Sequence, residues 1–374
     1  MSERRRSAPR LAAILPGLPQ LLTGRTRAGV TLVGVALALL LITLLSRQRI
    51  LHTLRSGGPE DWLALATLFL SLGATWILGA RTAAAERGSA PAGRSQWAMA
   101  WSEYNRSRLA VLGLYLMVGL YLLTFLAPLL TPYDPSAIGD IAATRHLPPS
   151  LAHPMGTDEF GRDVLTRVLY GARVSLSIGF VAVGISITLG TFIGAVSGYA
   201  GGLVDTLSMR FVDLLISFPR LVLLITIIAL FEPSVRVVVV VLGLTLWPST
   251  ARIVRGEVLS ARERDYVQAA RALGFGPSRI IFRHIVPNVL GPVIVAATLG
   301  LGNIILIEAA LSFLGMSVQP PTPSWGSMIN DGRDYLAQAW WVATFPGLAI
   351  VMTVVAFNLI GDGLRDALDP RRVR

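Results

Sequence analysis

Long apolar runs alternate with shorter polar segments along the chain, and the polar segments carry most of the arginines. Because a helix needs about 20 apolar residues to cross a bilayer, eight of these runs predict membrane-spanning helices. The first two lie at 29–45 and 62–80. The other six lie at 109–130, 174–196, 211–230, 235–254, 289–310 and 340–360. The pattern therefore predicts an all-α polytopic membrane protein with eight spans.

A change in composition between the second and third spans predicts a domain boundary. Residues 81–108 are rich in Ala, Gly, Ser and Pro and contain five arginines. We expect residues 1–94 to form an N-terminal extension with two spans and a basic linker, and residues 95–374 to form a second domain with six spans. The arginine-rich lead-in has no Ala-x-Ala cleavage pattern, so we expect it to be retained rather than removed as a signal peptide.

Composition limits the chemistry that the chain can perform. Hydrophobic residues make up 53% of it and charged residues 15%, whereas a soluble domain has about 25% charged residues. All 33 basic residues are arginine, so the chain lacks a phosphate-binding loop of the GxxxxGK[ST] type, which needs a lysine. Any nucleotide that drives the protein must therefore bind another subunit. There is no cysteine and the four histidines are scattered, so we expect no catalytic site, metal site or cofactor.

The net charge of +11 allows two interpretations. A basic surface can bind nucleic acid, but these arginines lie between apolar spans, which favours the rule that arginine collects on cytoplasmic loops. With both termini in the cytoplasm, 23 arginines lie on the cytoplasmic side and nine outside, while Arg220 falls within a span. We therefore expect cytoplasmic termini, contact with membrane lipid and no nucleic-acid partner.

The polar segment 263–288, between the sixth and seventh spans, is basic and predicts a helical hairpin. Residues 266–273 are rich in Ala and Leu, and Gly274 and Gly276 then interrupt the helical pattern. Pro277 suits the first turn of a second helix. The arginine distribution places the hairpin in the cytoplasm. It is either an ordinary basic loop that fixes orientation or a surface that binds a cytoplasmic partner.

Glycine spacing in the fourth span predicts close helix packing. Gly190, Gly194 and Gly198 recur every four residues, which places them on one helical face and lets another helix approach closely. The spacing indicates a compact bundle, and the alternative interpretation is a face that lines a pore.

Several polar residues are predicted to lie within spans. Arg220 follows Asp213 by seven residues, about two helical turns, so the two side chains should share a face of a continuous fifth span. A charge inside a span is costly unless it is paired or hydrated. Arg220 is therefore expected to line a pathway, to form a structural ion pair or to reach the cytoplasmic surface. Asn303, Glu308 and Asn358 are weaker candidates of the same kind.

The basic hairpin resembles the cytoplasmic "EAA" loop of ABC importer permeases, which reads E-A-A, three residues, Gly, then nine residues before I-x-L-P. The matching positions are Gln268, Ala269, Ala270, Gly274 and Pro287. Gln268 departs from the family pattern, which has Glu there. The resemblance implies a coupling helix that docks on an ATPase, with Ala269, Ala270 and Gly274 as a low-profile docking surface and Arg271 as its polar anchor.

Four further segments resemble the C-type permease subunits of dipeptide, oligopeptide and nickel importers. They are PYDP at 132–135, HPMGTDEFGRDVLTRVLYGARVSL at 153–176, EAALSFLGMSVQPPTPSWGSMI at 308–329 and NLIGDGLRDALDPR at 358–371. The resemblance covers roughly residues 95–374. It implies a type I ABC importer permease bundle of six spans, to which the first two spans are an addition.

This resemblance implies partners and a cargo. The expected partners are a second homologous permease subunit, two ABC ATPase subunits and an extracytoplasmic solute-binding protein, in a bacterial or archaeal cytoplasmic membrane. ATP hydrolysis would belong to the ATPases, so the chain itself is not expected to be an enzyme. Di- and oligopeptides are the expected cargo, and nickel or a nickel complex is the alternative. Two other classes stay open: a secondary transporter or channel with Arg220 and Glu308 as ion sites, and a membrane scaffold without transport.

Overall fold

The computed structural model describes residues 26–46, 50, 64–72, 74–75 and 96–368. Within these residues the regular elements are helices, and the extended pairing is an isolated bridge between Thr157 and Asp163. The predicted all-α class is confirmed. The chain divides into two compact units, Met1–Arg94 with Tyr121–Pro132, and Ser95–Leu120 with Tyr133–Arg374.

The first unit combines N-terminal helices with residues 121–132. Helix α1 spans Thr26–Leu45, and residues 64–72 of the predicted second span are also helical. The remainder of that span, apart from residues 74–75, lies outside the described residues. Residues 1–25 and most of the basic linker also lie outside them. The buried members of the unit's apolar cluster are Leu39, Ala64, Leu65, Leu68, Leu126 and Leu129. The Ser46 hydroxyl donates to the Leu129 carbonyl oxygen at 2.8 Å, which ties the extension to residues beyond 94.

The second unit is a helical bundle. Its helices, of which α3 continues into the first unit, are α2 (Gln96–Tyr104), α3 (Arg108–Phe125), α4 (Val164–Ala200), α5 (Gly202–Ser217), α6 (Arg220–Ile228), α7 (Val235–Ala261), α8 (Asp265–Ala272), α9 (Val286–Phe313), α10 (Trp325–Arg333) and α11 (Trp341–Leu368). Short helical turns lie at Ala127–Leu130, Ile141–Thr144 and Pro277–Arg279, and a π-helical segment lies at Ile280–Ile285. Among the described residues, five single helices and the bent pair α5–α6 are long and apolar enough to cross a membrane. They lie over the six segments predicted as spans beyond residue 95.

Helix α4 extends well beyond the predicted segment 174–196. Its 37 residues correspond to about 55 Å, whereas the hydrocarbon core of a bilayer is about 30 Å thick. Asp163 caps its first turn, because the carboxylate accepts hydrogen bonds from the Thr166 amide at 2.8 Å and from the Thr166 hydroxyl at 2.7 Å. Helix α4 is therefore longer than the apolar layer is thick.

The predicted fifth span, 211–230, is not one continuous helix, because the helix breaks in its middle. Helix α5 ends at Ser217, and α6 starts at Arg220 with its axis bent by 86°. Phe218 has an extended conformation with ψ 137°, since the ring of the following Pro219 disfavours helical geometry at the residue before it. Asp213 and Arg220 consequently lie on different helices and do not share a face.

Helices α4 and α7 pack closely along the predicted glycine stripe. Gly190, Gly194 and Gly198 are all buried. A Cβ atom at Gly190 would lie 2.5 Å from Thr250 Cβ, and one at Gly198 would lie 3.0 Å from the Arg255 carbonyl oxygen. The stripe thus contacts the neighbouring helix directly, which is the compact-bundle interpretation of the spacing.

Candidate coupling surface and membrane-interior site

The hairpin segment 263–288 begins as predicted, with helix α8 followed by a sharp turn. The Gly274 amide donates to the Arg271 carbonyl oxygen at 2.9 Å, and the Phe275 amide donates to the Ala270 carbonyl oxygen at 3.1 Å. These two bonds form a Schellman motif, which requires a left-handed residue directly after the helix cap. Gly274 supplies it with φ +76°. Gly276 and Pro277 then start the next helical turn.

The two alanines of the "EAA"-like motif point in different directions. Ala270 is only 4% exposed and belongs to a core cluster with Val267, Val258 and Ile285. Ala269, in contrast, is exposed. The expectation that Ala270 forms part of the outer docking surface is therefore corrected, because the apolar face of α8 packs on the bundle. Gln268, Arg271, Gly274 and Pro287 are exposed like Ala269.

Arginines in and just before this segment contact the end of α4. The Arg271 guanidinium lies over the Tyr199 ring at 5.1 Å from its centroid, and the Arg262 guanidinium donates to the Gly198 carbonyl oxygen at 3.1 Å. Nearby, Arg255 of α7 forms a bidentate pair with the Asp205 carboxylate of α5 at 2.5 and 2.6 Å. Arg271 is thus positioned by the bundle, since a cation over an aromatic face is attracted by the ring.

The last part of the hairpin segment is a π-helical stretch, Ile280–Ile285, that the sequence pattern did not predict. The Val286 amide donates to the Ile281 carbonyl oxygen, five residues back. Ile280, Ile281 and Ile285 are buried, so the widened turn is packed into the core. The hairpin therefore runs into α9 without a loop, and Pro287 lies within the first turn of α9.

A cavity of about 120 Å³ lies among α4, α6, α7 and α9, which include helices long and apolar enough to cross a membrane. Its polar lining residues are Ser186, Arg220, Ser249, Thr250 and Asn303. Two of the predicted interior candidates, Arg220 and Asn303, are therefore brought to one cavity. Asp213 is not part of it, because its carboxylate accepts a hydrogen bond from Arg252 at 2.7 Å. Asp213 therefore pairs with Arg252 of α7 and not with Arg220.

Glu308 belongs to a separate buried cluster of hydroxyl groups. It is fully buried and accepts hydrogen bonds from Ser312 at 2.7 Å, Ser175 at 3.1 Å and Ser317 at 3.4 Å. The cluster joins α4, α9 and the segment after α9. Asn358 belongs to neither site. It is exposed on α11, and its Oδ1 lies 3.6 Å from the position that a Cβ atom would take if Gly302 had one.

Sequence reasoning missed a charge network beside the start of α4. Asp158 pairs with Arg162 at 2.7 Å and with Arg167 at 3.4 Å, and both arginines also approach Asp331 at 3.9 and 3.6 Å. Burial raises the pKa of the Asp331 carboxyl, and the two arginines oppose that rise. The available signal was the acid and base spaced four residues apart in TDEFGRD, but Asp331 is distant in sequence.

The bundle, its basic hairpin and its small polar cavity are the features of a membrane transport subunit, and the family models agree. A model of the family described as "Binding-protein-dependent transport system inner membrane component" matches residues 190–374. A model of the "N-terminal TM domain of oligopeptide transport permease C" matches residues 95–149.

Curated relatives match most of the chain. The dipeptide transport system permease protein DppC of Alkalihalophilus pseudofirmus is 43% identical over 278 residues, which are 74% of this chain and 90% of the relative. A putative peptide transport system permease protein of Brucella suis is 46% identical over 279 residues, 75% of this chain and 93% of the relative. A solved inward facing MetNI methionine ABC transporter is 20% identical with a TM-score of 0.45, over 54% of this chain and 96% of that chain.

The chain therefore belongs to the family of binding-protein-dependent transport system inner membrane components. The resemblance inferred from the motifs is confirmed, and so is the class of ABC importer permease. Membership of this family implies ATPase partners and a binding protein, and a multi-pass location in the inner membrane.

Proposed function

We propose that this chain is a permease subunit of an ATP-driven importer of di- and oligopeptides. The observation that carries the proposal is the extent of the match, since 90% of the dipeptide permease relative aligns with this chain at 43% identity. The aligned length is that of a whole permease subunit rather than of a shared motif. Residues 1–94 would be an N-terminal addition to the permease domain at 95–374.

The proposed complex contains a second, homologous permease subunit as a heterodimer partner, two ATPases and an extracytoplasmic solute-binding protein. ATP hydrolysis would take place in the ATPases. Both termini would lie in the cytoplasm, as the arginine distribution favours. This orientation places α8 on the side of the ATPases and the charge network of Asp158 on the side of the binding protein.

The proposed coupling surface consists of the exposed side of α8 and the turn after it. Gln268, Ala269 and Gly274 would contact the ATPase, because they are exposed and carry no bulky charged group. A Cβ atom at Gly274 would find no heavy atom within 4 Å, so a partner can approach that position closely.

Force would pass from this surface into the bundle by direct packing. Ala270 and Val267 transmit it to α7 and α9 through their shared core cluster, and Arg271 transmits it to α4 through Tyr199. Closure of the ATPases would then move the helices that surround the cavity. This cavity, with Arg220 and Asn303 in its lining, would be part of the transport pathway. The populations of the outward-open and inward-open states depend on which state nucleotide and binding protein bind more tightly.

The test is uptake of radiolabelled dialanine into proteoliposomes that contain this chain and its partner subunits. We expect uptake to require both ATP on the side of the membrane where the ATPases lie and the loaded binding protein on the opposite side. Deletion of residues 1–94 would show whether the extension contributes to assembly or to uptake. Uptake driven by an ion gradient without ATP would contradict the proposal and would favour a secondary transporter.

A further inference from the structure

The interior cavity has one charge and several neutral hydrogen-bonding groups. Among the described residues that line it, Arg220 alone is charged, and Asn303, Ser249, Ser186 and Thr250 supply amide and hydroxyl groups. The Arg220 guanidinium makes no ion pair with another residue of the described part of the chain. The acid closest to it in sequence is occupied by Arg252 on α7, as described above.

This combination suits one kind of ligand group. A guanidinium is permanently charged and presents its N–H donors in a planar fork that matches a carboxylate. The amide of Asn303 and the hydroxyl of Ser249 can donate further hydrogen bonds to the same group. A cation held between membrane spans is stabilised when an anion or water reaches it, and a carboxylate can take that position during transport.

We propose that this cavity binds the terminal carboxylate of the transported molecule, with Arg220 as its charge partner and Asn303 as a hydrogen-bond donor. The inference rests on the proposed function, because it assigns the ligand group within the peptide importer. A free peptide carries an ionised carboxylate at its C-terminus at neutral pH, whatever its sequence. One site could therefore serve peptides with many different side chains.

The size of the cavity limits it to an end group. Its volume of about 120 Å³ is below the ~300–1,000 Å³ of pockets that enclose a whole small ligand. The ammonium group at the other end of the peptide is repelled by Arg220. The peptide thus enters this subunit with its carboxyl end, and its side chains and N-terminus lie outside the cavity.

The test uses the fact that the chain contains no cysteine. Ser249→Cys places a single thiol in the cavity at an exposed position. The assembled complex is treated with two methanethiosulfonate reagents of similar size, one with a sulfonate and one with a trimethylammonium group, and modification of this chain is followed by mass spectrometry. We expect the anionic reagent to react faster by roughly tenfold, after correction for reactivity towards free cysteine, because a cleft of one charge sign concentrates counter-ions.

Two variants identify the source of that preference. Arg220→Gln should abolish the tenfold preference, whereas Arg236→Gln should leave it intact, because Arg236 lies at the start of α7 and outside the cavity lining. Dialanine should slow modification more than dialanine amide does. Asn303→Asp, which supplies an internal partner for Arg220, should also remove the preference, and co-purification of the partner subunits checks assembly of each variant.

The outcomes separate the two proposals. A preference that survives Arg220→Gln, or equal protection by dialanine and its amide, overturns the carboxylate site even when uptake is normal. If the complex without substitutions shows no ATP-dependent uptake of dialanine, the proposal of a peptide importer is overturned. The preference for the anionic reagent still reports on the anion site by itself.

Discussion

The turn after α8 allows a prediction whose size can be worked out from the structure. Gly274 has φ +76°, and a left-handed conformation costs a residue with a Cβ roughly 1–2 kcal/mol. A Cβ atom at this position meets nothing within 4 Å, so Gly274→Ala adds backbone strain without a clash. A penalty of about 1–2 kcal/mol raises the open population of the turn by a factor of roughly 5–30.

Hydrogen exchange followed by mass spectrometry on the purified complex measures this change. We expect peptides that contain the Gly274 and Phe275 amides to exchange faster in Gly274→Ala by about that factor, because opening of the turn breaks both hydrogen bonds of the motif. Gly276→Ala is the matched control, since Gly276 has φ −64° and equally open surroundings. If both variants exchange alike, or if neither differs from the unmodified chain, the reasoning from the left-handed turn is refuted.

Three further predictions address packing, docking and pH. Gly194→Ala would place a Cβ 2.9 Å from Val254 Cβ, so the thermal stability of the complex should fall by about 1–3 kcal/mol, whereas Gly184→Ala, with nothing within 4 Å, should not change it. Ala269→Glu should keep the thermal stability but reduce co-purification of the ATPase, whereas Ala270→Glu should lower the stability itself, because it buries a charge; equal effects would contradict the assignment of the two faces. Burial and the neighbouring Arg145 lower the pKa of His146, so its neutral form stabilises the fold above pH ~6.5, and that contribution is lost as the pH falls below this value. His146→Asn should flatten the loss of thermal stability between about pH 7.5 and pH 5, since Asn tolerates the φ of +51° at this position; an unchanged pH dependence would exclude His146 as its cause.

Local rules predicted much of the hairpin segment 263–288. Gly274 and Pro277 are strong signals for the end of one helix and the start of the next, and the structure has α8 and the following turn at those positions. The direction of each alanine was not predictable in the same way. Ala269 and Ala270 are identical side chains, and only the packing of α8 on distant helices decides which of them is buried.

Interior polar contacts were harder to predict, because their partners are distant in sequence. A shared helical face for Asp213 and Arg220 was inferred from their spacing of seven residues, and Pro219 between them breaks the helix. The observed partner of Asp213 is Arg252, which lies 39 residues further along the chain. Glu308 likewise depends on Ser175, at a separation of 133 residues, which no local pattern reveals.

The π-helical segment before α9 has a geometric consequence for the far end of that helix. A π turn contains one residue more than the α turn that it replaces, and one residue of an α-helix corresponds to a rotation of about 100° and a rise of about 1.5 Å. Gain or loss of the widened turn at Ile280–Ile285 would therefore rotate α9 about its own axis and shift it slightly along that axis. Asn303 would leave the cavity while the ends of the helix scarcely moved, so a change at the π-helical segment would alter the lining of the cavity without a large tilt of α9.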